Sequence, residues 1–161
     1  VSAIFFVIAN SFAVTTGSLV SNAIGARARN ELFPICHKVL KLGYAVGIPF
    51  VVVALLCNRW IVSFYTDNEL LIELAFAPFV VMLLNYTFAL PGYVYLNAVG
   101  GTGKTKITFL FQVTTTCVYL VYLYWLSFCI KASLSLYLTA EYLFVILLAL
   151  QSIIHLKSKH Y

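Results

Sequence analysis

Charge is what this sequence has least of. Only 9% of its 161 residues are Asp, Glu, Lys or Arg, while 63% are apolar. Soluble domains carry about 25% charged residues. A chain this poor in charge cannot cover a water-facing surface, which excludes a soluble globular domain and leaves an integral membrane protein. Clustered chemistry is missing too. A membrane-embedded enzyme would need paired carboxylates, an HExxH segment or a serine–histidine pair inside the spans, and only Glu141 lies deep, with no partner base, so an enzyme is not expected. The four cysteines, Cys36, Cys57, Cys117 and Cys129, show no CxxC spacing and read as small apolar packing residues. The chain starts at Val1, and no charge precedes Arg27. A signal peptide with a basic n-region is therefore not expected, and the chain reads as the C-terminal part of something longer or as a truncated gene product. Neither a linker nor a low-complexity tract divides it, so residues 1–161 read as one transmembrane domain.

What is present is length in the apolar runs. About 20 apolar residues span a bilayer as a helix. Five stretches qualify: Val1 to Ile24, Val39 to Tyr65 around Pro49, Leu70 to Val99 around Pro78 and Pro91, Ile107 to Ile130, and Leu134 to Leu156. They are too long for strands and lack the alternation of a barrel wall. The fold class is all-α, a polytopic membrane helix bundle of five transmembrane helices.

The connections orient this bundle. One alternate set holds Arg27, Arg29, Lys38, Lys41, Lys104, Lys106, Lys157 and Lys159, and the other holds Arg59 and Lys131, eight basic residues against two. The positive-inside rule places the eight, and the C-terminus, in the cytoplasm. Asp67, Glu69 and Glu73 fall outside. The net charge of +5 thus belongs to membrane flanks, and nucleic acid is not an expected partner. The Gly25 to Lys38 stretch is the longest connection, with room for a short surface helix.

"NAVGGTGKTKITF", Asn97 to Phe109, imitates a phosphate-binding loop. The full G-x-x-x-x-G-K-[ST] pattern would need a glycine where Ala98 stands, and it would follow a buried strand rather than a membrane span. Gly100, Gly101 and Gly103 read instead as a tight cytoplasmic reversal anchored by Lys104 and Lys106.

Polar residues inside the spans carry the functional expectations, because they are costly in hydrocarbon. Ser11, Thr15, Ser18 and Asn22 share one helical face. Gly17, Ser21 and Gly25, and the pair Gly43 and Gly47, read as close-packing positions. In the third span Pro78, Met82 and Asn85 line one face, and Pro78, Pro91 and Gly92 are candidate hinges. In the fourth, Gln112, Thr116 and Tyr119 share a face, and Gln112 and Tyr119 are placed to line a path for a lipophilic cation. Tyr124 and Trp125 read as interfacial belt residues. Glu141 is the sharpest signal, the only carboxylate well inside a span, about ten residues after Lys131 and sixteen before Lys157. An acid there is a candidate for proton exchange, and its competing reading is a carboxyl paired with a tyrosine or a backbone group for packing. His37 and His155 match no ligand spacing.

"SLVSNAIGARARNE" (Ser18 to Glu31) resembles the end of the second helix of a lobe in the multidrug and toxin extrusion (MATE) family. "IVSFYTDNELLIELAFAPF" resembles the family's outer connection, and "AVGGTGKTKITFLFQ" its cytoplasmic glycine turn before the fifth helix of a lobe. "YLTAEYLFVILLALQSIIHLKSKHY" is similar to a final helix with a basic tail. The resemblance extends over essentially the whole chain. It implies a twelve-helix transporter of two six-helix lobes, of which this chain supplies helices eight to twelve. It also implies a secondary antiporter that exports cationic, lipophilic compounds in exchange for sodium ions or protons and has no cofactor beyond that coupling ion. The implied partners are the lipid bilayer, the missing N-terminal helices and a small substrate. Some members carry an acid in the tenth helix, and the stretch from Asn85 to Asn97 has none. A lipid-linked oligosaccharide flippase is the alternative of similar architecture.

Overall fold

The computed structural model describes residues 2–64, 68–130 and 134–158. Val1, Tyr65, Asp67, Lys131 and Lys159 lie outside the described residues, as do the side chains of Arg29 and Cys129. Among the described residues six α-helices follow one another: α1 (Ser2–Gly25), α2 (Leu32–Leu56), α3 (Asn58–Ser63), α4 (Glu69–Gly101), α5 (Thr105–Trp125) and α6 (Leu134–Ser158). There is no strand among the described residues. Five segments of the described residues are long and apolar enough to cross a membrane: Ala3–Gly25, Leu32–Leu56, Ile72–Gly101, Thr105–Phe128 and Leu136–Ser158. The all-α, five-span bundle stands as the sequence indicates.

Two boundaries need correction. α2 begins at Leu32, not Val39, and the connection before it holds only a three-residue 3₁₀ turn, Arg29–Glu31. Arg27, at φ 59, reverses the chain. Pro34 falls in the first turn of α2, where its missing N–H costs nothing. Lys38 and Lys41 therefore sit on the helix and are exposed, long enough to carry their charge back toward the headgroups. At the other end α2 stops at Leu56, and the expected continuation to Tyr65 is the separate short helix α3. Asn58 supports the break, its Nδ2 donating to the Leu55 carbonyl at 2.5 Å and satisfying one of the acceptors that a helix end exposes.

α4 starts cleanly. The Asn68 side chain accepts the Leu70 N–H at 3.1 Å, and Glu69 occupies the first turn, where its charge suits the helix dipole. The helix then runs 33 residues through both prolines. Gly100 and Gly101 belong to its last turn, not to a reversal. The reversal is left to Gly103, at φ +83, a conformation that costs glycine nothing.

α4 is the spine of the bundle. α1 and α6 pack along it on two sides, α2 packs on α1 and α4, and α5 rests mainly on α6. Contacts at matched heights give the directions. α1 runs parallel to α4, with Phe5 on Tyr86, Phe6 on Tyr93 and Gly17 on Asn97. α6 also runs parallel to α4, with Glu141 on Asn85 and Val145 on Gly92. α2 and α5 run the other way, shown by Gly43 on Leu90 and Gly47 on Tyr86, and by Phe111 on His155 and Tyr119 on Phe144. The α1–α2 connection, the Gly103 turn and the end of α6 thus share one end of the bundle. Arg27, Lys104, Lys106 and Lys157 gather there.

The core follows α4. Leu83, Leu90, Val94 and Val99 are fully buried against Ala9, Ala13 and Val20 of α1. Small residues let the helices approach. A Cβ on Gly101 would stand 2.4 Å from the Gly17 carbonyl oxygen, and one on Gly17 3.2 Å from the Asn97 carbonyl oxygen. Gly43 and Gly47 serve α2 in the same way. Gly25 meets nothing within 4 Å and plays no part in that contact.

Candidate functional site

At the end opposite the basic cluster, α1 and α6 diverge around α4 and leave a cavity of about 440 Å³. Its walls come from four helices. α1 supplies Ala3, Phe5, Phe6 and Ala9; α4 supplies Met82, Asn85, Tyr86, Ala89 and Tyr93; α5 supplies Tyr119; α6 supplies Glu141, Phe144 and Val145. The geometry follows from side-chain size. α1 and α4 touch backbone to backbone where Gly17 meets Gly101. At the cavity end, rings stand between them, Phe5–Tyr86 at 5.9 Å and Phe6–Tyr93 at 5.7 Å between centroids, both edge to face.

Among the described residues, Glu141 is the only carboxylate that lines the cavity, and no basic residue lines it. Its partner is neither a tyrosine nor the backbone. Asn85 Nδ2 donates to Glu141 Oε2 at 2.8 Å, joining α4 to α6. The next residue, Tyr142, secures the same junction by donating its hydroxyl to the Val81 carbonyl. Two helical turns farther along α4, its ring meets Phe88 edge to face at 5.3 Å. Asn85 Oδ1 is buried without a donor, so the amide is turned wholly to the service of the carboxylate. Farther along, Gly92 is buried, and a Cβ there would lie 2.7 Å from the Val145 carbonyl oxygen. α4 and α6 are therefore in close contact about two turns along α4, and one along α6, from the Asn85–Glu141 bond.

The structure brings Glu141, Asn85 and Tyr119 together, with Met82 beside them. It does not bring Gln112 and Thr116 to them. Both are exposed on α5 and outside the lining. α5 packs through Phe111, Thr115 and Tyr119, which contact His155, Gln151 and Phe144 of α6. Residues 112 and 116 each follow one of these by a single position, a rotation of about 100° away from the packed face. Pro78 is half-buried and lies one turn before Met82, outside the lining, and Pro91 likewise stays outside it. Gly92 sits in unbroken helix, seated on α6.

The aromatic walls were the part that sequence reasoning missed. Phe5, Phe6, Tyr86, Tyr93 and Phe144 lie in apolar runs where any aromatic can be core. Tyr86 and Tyr93 carried one available signal, since they stand seven apart on the helix that holds Asn85. The polar face of α1 also turns out differently from a site. Ser11, Thr15, Ser18 and Asn22 are exposed, away from the cavity. Three of them return their hydroxyls to carbonyls four residues back, Ser11 to Val7, Thr15 to Ser11 and Ser18 to Val14. Among the described residues no group of three or more His, Cys, Asp or Glu is placed to hold a metal ion.

A family model, MatE, matches residues 1–126. The chain belongs to the MatE family. MatE proteins are membrane transporters rather than enzymes, and this one is a multi-pass membrane protein by family and by helix length. The match covers α1 to α5, with Asn85 and Tyr119, and ends before α6 and Glu141. No curated protein and no solved structure matches the chain.

Proposed function

We propose that this MatE chain forms five helices of a secondary active antiporter that exports lipophilic or cationic compounds in exchange for protons or sodium ions. One observation carries the reading. A single carboxylate, Glu141, held by an amide from the facing helix, opens into a cavity walled by phenylalanine and tyrosine. A carboxylate in hydrocarbon wants a counter-charge, and aromatic faces attract cations. A flat organic cation would satisfy both. When the carboxylate takes a proton, that counter-charge is no longer required, which gives exchange between substrate and ion a physical basis at one atom pair. Alternating access then rocks this half of the transporter against the other. The positive-inside rule supports a cell-membrane orientation with the basic end and the C-terminus in the cytoplasm.

The space this chain encloses is large enough for a small substrate. About 440 Å³ falls within the roughly 300–1,000 Å³ range of drug-sized pockets. The test is efflux of a fluorescent cationic dye from proteoliposomes across a range of pH, with the native protein and with Glu141→Gln. The variant is expected to lose most of the pH dependence and to move the dye more slowly. An unchanged pH profile removes Glu141 from coupling, and movement of lipid-linked sugars without dye transport would decide for the flippase.

A further inference from the structure

α4 carries Pro91 and yet runs unbroken from Glu69 to Gly101. Proline has no amide hydrogen, so the carbonyl four residues earlier, that of Thr87, loses its helical donor. In hydrocarbon no water replaces it, and an unsatisfied carbonyl is costly. The Tyr44 hydroxyl of α2 fills the gap, donating to the Thr87 carbonyl oxygen at 2.7 Å. A second phenol reaches back across the same interface, where Tyr86 of α4 donates to the Gly43 carbonyl at 2.9 Å. Adjacent residues on each helix are thus clasped reciprocally, 44 to 87 and 86 to 43. Two glycines make room for the clasp. A Cβ at Gly43 would come within 2.8 Å of Leu90, and one at Gly47 within 2.1 Å of the Tyr86 ring.

The proline does not line the cavity itself, but it falls between the α4 residues that do. Met82, Asn85, Tyr86 and Ala89 line the cavity before it, and Tyr93 lines it after. The relative direction of the two halves of α4 therefore decides whether these side chains face one space. Tyr86 belongs both to the wall and to the clasp.

We infer that Tyr44 is a positioning residue for the cavity: its hydroxyl replaces the amide hydrogen that Pro91 lacks and so fixes the angle between the two halves of α4. This role belongs to the folded bundle and does not depend on which compound the cavity takes.

The experiment is a double-mutant cycle on the protein in mixed micelles, unfolded by SDS titration and followed by circular dichroism. Tyr44→Phe keeps the ring and removes the hydroxyl. It is expected to shift the folding equilibrium about three- to twentyfold toward the unfolded state, the range for side-chain hydrogen bonds in membrane proteins. Pro91→Ala restores the amide donor to the Thr87 carbonyl. In that background Tyr44→Phe is expected to cost less than about twofold, because coupled sites lose additivity. Tyr86→Phe is the control, since the Gly43 carbonyl has the Gly47 amide as its helical donor, and its cost is expected to be the same in both backgrounds. The inference is overturned if Tyr44→Phe costs equally with and without Pro91, or costs nothing in the native chain. Binding of a fluorescent lipophilic cation is read on the same variants. It is expected to weaken in Tyr44→Phe and recover in Tyr44→Phe/Pro91→Ala, and equal binding by all variants overturns the positioning role. If no variant binds the cation, the proposed substrate fails while the unfolding cycle still decides the role of Tyr44.

Discussion

Adjacent glycines in "AVGGTGK" should answer the same substitution with opposite signs. Gly101→Ala places a Cβ 2.4 Å from the Gly17 carbonyl oxygen, 3.1 Å from its carbonyl carbon and 3.2 Å from its Cα. All three are backbone atoms, so no rotamer change relieves the clash. α1 must retreat by about 1 Å to reach ordinary contact, and forced overpacking of this kind costs ~1–3 kcal/mol. Alanine gains up to ~1 kcal/mol over glycine in a helix, less in a final turn, so the net change at Gly101 is a loss. Gly100→Ala meets Thr108 Oγ1 at 3.6 Å and nothing nearer. It keeps the propensity gain and should leave the protein unchanged or slightly more stable. SDS-titration unfolding of the two variants side by side measures the difference, expected at about 1–3 kcal/mol in favour of Gly100→Ala. If the two variants unfold alike, or if Gly100→Ala is the weaker, α1 and α4 do not touch through their backbones at this turn. A loop reading of the same motif expects no such asymmetry.

Gly92→Ala is expected to separate α4 from α6, because its Cβ would lie 2.7 Å from the Val145 carbonyl oxygen. The separation should stretch the Asn85–Glu141 bond and weaken dye binding as well as stability, whereas Gly100→Ala leaves binding alone. Orientation is checked with an impermeant maleimide. The exposed Cys57 at one end and Gly103→Cys at the other are expected to label from opposite sides of the membrane, the latter from the cytoplasm, and labelling of both from one side contradicts the helix directions. Glu141→Gln is expected to flatten the pH profile of dye efflux, as measured in proteoliposomes.

The spans were legible because length and charge speak of independent things. Run lengths gave the helices, and the lysines and arginines gave alternate ends, which the contact pairs reproduce as two sets of antiparallel helices. The start of α2 was illegible because Lys38 and Lys41 look like loop residues in a count of charge. Only the side-chain reach of lysine lets them ride on a helix near its end. Asn85 and Glu141 were visible one at a time, as polar groups where polarity is expensive, but their pairing was not. It needs the register of α4 on α6, which is set by the seat of Gly92 against Val145. Gln112 and Thr116 show the converse. A polar face on α5 is readable from periodicity, but which face packs is decided by Phe111, Thr115 and Tyr119 meeting α6, and no pattern within α5 states that.

The cavity is best understood as a consequence of where small and large residues fall along two parallel helices. α1 closes on α4 at Gly17 and Gly101 to the distance of backbone contact, while Phe5 and Phe6 against Tyr86 and Tyr93 keep the other ends apart by the width of a ring. Helices held together at one end and propped at the other enclose a wedge, and the wedge opens away from the basic cluster. The same argument explains why the polar stripe of α1 is not part of it. The stripe lies on the side turned from α4, where Ser11, Thr15 and Ser18 bond their own backbone, so it can face an apolar medium at little cost. Glu141 has no such internal remedy. Among the described residues its hydrogen-bond donor is Asn85 on another helix, so that bond depends on the seating of α6 on α4.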